Sequence, residues 1–260
     1  MLFRSMGITG TDVAKDTADM VLTDDNYASI VAAVEQGRII YSNIRKFVYY
    51  LVSCNLAEIM IIFLATAFGR YLYPFAAGDV LSPLAPIQLL LLNLVTDGAP
   101  ALALGTEKGD PDIMQQKPRP PKEPIINRFM LNGVLIQTVA ITFITLYAFG
   151  VGLKHNLLMA ETMAFITLAS SELLRAYTAR SERYPILKIG IFNNKWMNIA
   201  VLSSLGLLLL ILYVPFFNTV FDTVPLGWTE WRLILPLLLI PSIAAELAKV
   251  FVTRRGRSTG

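Results

Sequence analysis

Three carboxylates, Glu58, Asp97 and Glu172, interrupt long apolar runs of a 260-residue chain. An acid in hydrocarbon is costly unless it is protonated, paired or bound to a cation. No Lys or Arg sits at matching depth in these runs; Arg175, one turn beyond Glu172, is the nearest. Internal ion pairing is therefore a poor general account of the acids. Their neighbours are polar oxygen bearers. Asn55 and Glu58 are three apart and share a helix face. Asn93 and Asp97 are four apart, with Thr96 beside them. Gly98 follows, and Pro100 has no amide hydrogen, so the helical ladder loosens just upstream. Irregular backbone can aim side chains and free carbonyls at one point. It is tolerated in a membrane only where protein or a cavity surrounds it.

The candidate ligand set is Asn55, Glu58, Asn93, Thr96, Asp97 and Glu172, all offering oxygen. Calcium takes six to eight oxygens in flexible geometry. Zinc and copper favour Cys or His, but Cys54 stands alone and is expected to pack, while His155 falls in a loop. The chemistry is that of a hard cation. The residues by themselves leave Ca2+, Mn2+, Na+ or a proton open, and with them coupled proton transport or a structural polar network. Gln88, Gln137, Thr138, Ser170 and Ser171 are read as packing or helix-bonding groups. Glu161 and Glu246 lie near span ends and are read as interfacial.

The elements that must hold these residues are membrane spans. The chain is 55% hydrophobic and 16% charged, whereas soluble domains carry about 25% charged residues. Its apolar blocks approach the roughly 20 residues needed to cross a bilayer. Spans are expected at about 44–68, 83–104, 129–151, 161–177, 196–216 and 231–251, giving a six-helix transmembrane bundle over 44–251. Residues 252–260 form a tail. Residues 1–43 are too short and polar for a complete domain. A turn and cap at Gly10 and Thr11, a short helix around Asp12–Asp16 and a brief strand at Met20–Leu22 give this segment an α/β character. Ile30, Val31, Val34, Ile39 and Ile40 then recur at helical spacing towards the membrane.

Basic residues fall mainly on one side. Arg38, Arg45 and Lys46 precede span one. Lys108, Lys117, Arg119, Lys122 and Arg128 lie between spans two and three, and Arg175, Arg180, Arg183, Lys188 and Lys195 lie around the end of span four. Lys249, Arg254, Arg255 and Arg257 close the chain. The positive-inside rule places both termini in the cytoplasm. The run with Pro111, Pro118, Pro120, Pro121 and Pro124 is too proline-rich for a helix. It reads as a stiff loop, either a docking surface or a spacer. Net charge is +3 with no basic stripe, which argues against nucleic acid as a partner. One cysteine excludes an internal disulfide framework.

The stretches MGITGTDVAKDTADMVLTDDNYASIVAAVEQGR, CNLAE and NLVTDGAPALALG make the chain similar to a known family. It resembles the C-terminal part of P-type cation-transporting ATPases, closest to calcium pumps of the sarcoplasmic/endoplasmic reticulum kind. The resemblance implies an all-α membrane protein with a small remnant of the cytoplasmic α/β phosphorylation domain and stalk over 1–43. It implies that the six spans match the family's last six of ten. By position, Asn55 and Glu58 match ligands of the fifth helix, Asn93, Thr96 and Asp97 those of the sixth, and Glu172 that of the eighth. One calcium would take Asn55, Glu58, Thr96, Asp97 and Glu172. A second would take Asn93 and Asp97, the rest of its ligands coming from the fourth helix of the pump's N-terminal half.

The implied function is the cation-binding and translocation domain of an ATP-driven calcium pump, in an endomembrane or the plasma membrane. Its partners are Ca2+ or another hard cation, the lipid bilayer and the missing N-terminal half. The parent would need ATP and Mg2+. No DKTGT or GDGxND run occurs in these 260 residues, so the chain is expected to be a truncated product that is inactive alone. The alternatives are a non-catalytic membrane domain and a secondary cation antiporter.

Overall fold

The computed structural model describes residues 4–75, 81–118, 120 and 124–257, with side chains except at 128–129 and 250–257. Arg119, Pro121, Lys122 and the side chains of Arg128, Arg254, Arg255 and Arg257, used above for charge and loop character, lie outside the described residues. The chain divides into two compact units, Met1–Asn43 with Lys108–Arg119, and Ile44–Glu107 with Pro120–Gly260.

The first unit holds a β-α-β element. Strand β1 (Arg4–Met6) pairs in parallel with β2 (Met20–Leu22), Arg4 opposite Met20 and Met6 opposite Leu22. Helix α1 (Asp12–Thr17) connects them. Thr11 caps it by accepting from the Ala14 amide, 3.3 Å away. Asp12 in its first turn and Lys15 in its last complement the helix dipole. The sequence pattern pointed to α1 and β2. It did not point to β1, whose three residues are too few to show a period.

Asp25 adopts φ 49° and accepts from the Ile8 amide at 2.9 Å and from the Thr9 amide at 2.8 Å. These bonds, the Ile8 amide foremost, hold its carboxyl below the usual carboxylate range. A lowered folded-state value means that this anchor is present at neutral pH and is lost as pH falls through it. In the same unit Arg38 donates to the carbonyls of Ile113 and Gln116 at 2.7 and 2.8 Å. These bonds fasten a stretch of turns with no helix.

The second unit is a bundle of helices. Among the described residues, six helices are long and apolar enough to cross a membrane: Ala28–Leu72, Pro86–Gly105, Met130–Gly152, Leu157–Thr178, Lys195–Tyr213 and Trp228–Lys249. The chain is thus a multi-pass membrane protein. The first belongs to α2 (Ala28–Leu72), 45 residues in one run with no proline. At 1.5 Å per residue it is roughly 68 Å long, about twice a bilayer's hydrocarbon core.

The second span joins α3 (Pro86–Leu91), a π-helical turn (Leu92–Thr96) and α4 (Gly98–Gly105). Then follow α5 (Arg128–Gly152), α6 (Leu157–Thr178), the short α7 (Ile186–Ile189), α8 (Lys195–Tyr213), α9 (Pro215–Phe221) and α10 (Trp228–Arg257). Asparagines start three spans, since Asn127, Asn156 and Asn194 each accept from the amide three residues on. Pro215 disfavours helical backbone at the residue before it, so α8 ends at Tyr213 and α9 restarts at Pro215.

α6 is the central helix, with 72% of its apolar window buried against 22% for the last span. Its small residues Ala160, Ala164, Ala169 and Ala176 let neighbours approach closely. At the α5–α6 turn, a Cβ on Gly152 would stand 2.4 Å from the Ala160 Cα. Only glycine permits that approach.

A buried fork ties three spans at their ends. Arg180, following α6, donates from Nε and Nη2 to the Glu107 carboxylate at 2.8 and 2.9 Å. Its Nη1 donates to the carbonyls of Gly190 and Ile191. The amide of Asn194, the α8 cap, donates to Glu107 as well, at 2.9 Å. Four of the five guanidinium N–H groups are used, and the paired carboxylate offsets the charge. Breaking such a buried pair typically costs about 3–5 kcal/mol. Arg180→Ala is expected to lower the unfolding free energy in detergent by that order, whereas an exposed control such as Lys195→Ala should leave it within about 0.5 kcal/mol.

Candidate cation site

Three elements supply the site: the middle of α2, the π-helical turn and the second half of α6. On α2, Tyr50, Cys54 and Glu58 recur every fourth residue and so share one face; all are buried. The π turn forms where the Asp97 amide donates to the Leu92 carbonyl, five residues back, at 2.9 Å. The Thr96 hydroxyl donates to that same carbonyl at 2.8 Å. Pro100 offers no amide to the carbonyl of Thr96, which keeps the ladder from closing in α-helical register. The Asp97 carbonyl accepts the Ala101 amide at 3.0 Å, so normal winding resumes beyond it. The expected break in the second span is this extra residue in one turn.

The Asp97 side chain is fully buried. Its Oδ1 accepts from the Tyr50 hydroxyl at 3.1 Å, and its Oδ2 receives no hydrogen bond. Glu172 is also fully buried, and neither of its carboxylate oxygens receives one. One oxygen each from Asp97 and Glu172, with Cys54 Sγ, lie within 4.8 Å of one another. Three atoms no more than 4.8 Å apart lie within about 2.8 Å of a common point, near the 2.3–2.6 Å of a calcium–oxygen bond, so a small closing movement lets one ion reach all three. Glu58 Oε2 accepts from the Asn93 amide at 2.8 Å, while its buried Oε1 receives none. Glu58 feels the charge of Asp97, and Glu172 that of both.

The remaining candidates sit otherwise. Thr96 is buried with its hydroxyl turned to its own helix. Asn55 is half-buried and donates to the Leu51 carbonyl. Asn93, exposed, bonds to Glu58 and to the Leu89 carbonyl.

Sequence reasoning set aside residues that belong here. Arg175 is 1% exposed. It donates to Gln137 Oε1 and to the Tyr50 carbonyl, each at 3.2 Å, and lies 3.7 Å from Cys54 Sγ. Its guanidinium also stands over the Tyr49 and Tyr50 rings. The signal for Arg175 was its three-residue spacing from Glu172, and for Tyr50 and Cys54 their four-residue steps to Glu58. Gln137 carried no such signal.

This is a membrane helix bundle with a buried carboxylate cluster, and comparison with known proteins defines its kind. Residues 81–251 match the family model described as cation transporting ATPase, C-terminus. The chain is 39% identical over 268 residues to calcium-transporting ATPase 1 of Bacillus cereus, covering 95% of this chain and 28% of that protein. It is 39% identical over 254 residues to the calcium-transporting ATPase of Bacillus subtilis, covering 96% and 27%. The endoplasmic reticulum calcium ATPase srcA of Aspergillus fumigatus is 35% identical over 280 residues, with 95% and 28% covered. The chain belongs to the cation-transporting P-type ATPases and is homologous to the C-terminal membrane region of calcium-transporting members. It spans less than a third of the length of these relatives.

Glu172, fully buried with only the weak thiol donor of Cys54 beside its carboxylate, is held against its own solvation preference. Translocon measurements place an acid at the bilayer centre at about 2.5–3.5 kcal/mol. Glu172→Gln is therefore expected to raise the melting temperature of calcium-free protein, by about 2–4 °C per kcal/mol recovered. An unchanged or lower melting temperature would show that Glu172 is not strained.

Proposed function

We propose that the chain is the cation-binding and translocating part of an ATP-driven calcium pump. The observation that carries this reading is the set of buried carboxylate oxygens on Glu58, Asp97 and Glu172 that accept no hydrogen bond. Bare oxygens on three elements need a positive guest, and one desolvated divalent ion supplies it. Asn55, Glu58, Thr96, Asp97 and Glu172 form one calcium site. Asn93 and Asp97 form part of a second, with Asp97 bridging both. The exposure of Asn93 supports this, because ligands from a further helix can reach it. Mn2+ and Na+ share the oxygen chemistry and are the competing guests.

In this reading residues 1–43 are the end of a cytoplasmic phosphorylation domain and the start of the stalk, 44–251 are the membrane domain, and 252–260 are a cytoplasmic tail. Both termini face the cytoplasm of an endomembrane or plasma-membrane pump. The missing N-terminal half binds ATP and Mg2+ and carries the phosphorylated aspartate. Calcium occupancy and phosphorylation are then linked, each favouring the conformation that the other prefers. The chain by itself has no phosphoryl chemistry, and purified protein is expected to hydrolyse no ATP.

Calcium titrated into purified chain in detergent is expected to raise its melting temperature, with stabilisation near 2.7 kcal/mol at a hundredfold excess over Kd. Asp97→Asn should remove the shift. Wild-type protein that does not respond to calcium, or an Asp97→Asn variant that responds equally, rejects the reading.

A further inference from the structure

We propose that Cys54 is a ligand of this cation site, so that the site accepts a thiophilic divalent ion. The inference rests on the cation-site reading above and specifies its ligand chemistry. The all-oxygen set expected from the sequence leaves Cys54 as packing. In the structure its Sγ shares a 4.8 Å cluster with oxygens of Asp97 and Glu172, and all three residues are buried. The carboxylates are not committed elsewhere: Asp97 Oδ2 and both Glu172 oxygens receive no hydrogen bond. A sulfur and one oxygen from each carboxylate therefore converge on one volume, and Cys54 lies one turn from Glu58 on the same helix face.

The sulfur favours a softer ion here. Arg175 Nη1 is 3.7 Å from the sulfur and donates towards it. With the thiol protonated, a divalent ion and Arg175 together balance the Glu58, Asp97 and Glu172 carboxylates. As the metal–sulfur bond forms, the thiol proton leaves to solvent. Thiolate ligands select softer cations over calcium, so the cluster combines oxygens that suit calcium with a sulfur that suits cadmium or zinc.

The test uses Cd2+ with the purified 260-residue chain in detergent, read by the ultraviolet charge-transfer band of a cadmium–thiolate bond. The chain has one cysteine, so the band reports Cys54 alone. The expected result is a saturable band at one cadmium per chain, competed by excess calcium. Cys54→Ser should lose the band and bind cadmium at least tenfold more weakly. Ion-free melting curves and Cys54→Ala as a second variant check that folding is preserved.

Cadmium that displaces calcium without a band, or that binds a folded Cys54→Ser chain with unchanged affinity, overturns the role of Cys54 and leaves the oxygen site standing. A band that calcium does not compete, in wild-type protein that also shows no calcium shift, keeps the thiolate site and removes the calcium reading. Absence of both signals removes both.

Discussion

The bundle is organised around the cost of keeping negative oxygen in hydrocarbon. Glu58, Asp97 and Glu172 are each buried with at least one oxygen that no donor satisfies. Buried polar groups are normally paired, and inside a membrane an exception is expensive and functional by default. The surrounding structure limits the cost without removing it. Tyr50 gives one hydrogen bond to Asp97 and Asn93 one to Glu58. Arg175 adds positive charge nearby and is itself tied to Gln137 and the Tyr50 carbonyl. A half-compensated cluster of this kind is poised to take up charge from outside.

The scaffold is correspondingly stiff at the ends of the spans. The Arg180–Glu107 fork, with Asn194 and the Gly190–Ile191 carbonyls, fixes the ends of the second, fourth and fifth spans. Gly190 is at φ 82° there, a backbone conformation that side chains with a Cβ rarely adopt. Between such fixed ends, the small residues of α6 bring Glu172 into the centre of the bundle. Packing and charge therefore answer to different parts of the sequence: alanines and asparagine caps set the helices, and a few acids set the purpose.

Much of this was legible in the residues. The apolar blocks identified six spans because nothing but length and hydropathy is needed to see them. Glu58, Asp97 and Glu172 stood out because charge in such blocks is rare. Gly98 and Pro100 marked the break in the second span because proline removes a donor whatever its surroundings. Other features depend on which faces meet, and spacing along one helix does not encode that. Cys54 and Tyr50 share a face with Glu58, but only the approach of α6 and the π turn makes that face part of a charged cluster. Arg175 looked like a residue at a span end; its burial follows from the aromatic and polar groups that α2 and α5 place against it. The strand β1 was invisible because its only signal is its partner.

The π turn has a consequence of its own. An α-helix advances about 100° per residue, and the surplus residue between Leu92 and Asp97 offsets everything after it by that angle. The count of residues in this turn is thus itself a structural parameter. Rewinding this turn into α-helical register without removing a residue would swing Asp97 by about 100°, away from Tyr50 and Glu172, with no change to any side chain that touches them. The register of a single turn, and not the identity of any residue in it, thereby decides which way the acid faces.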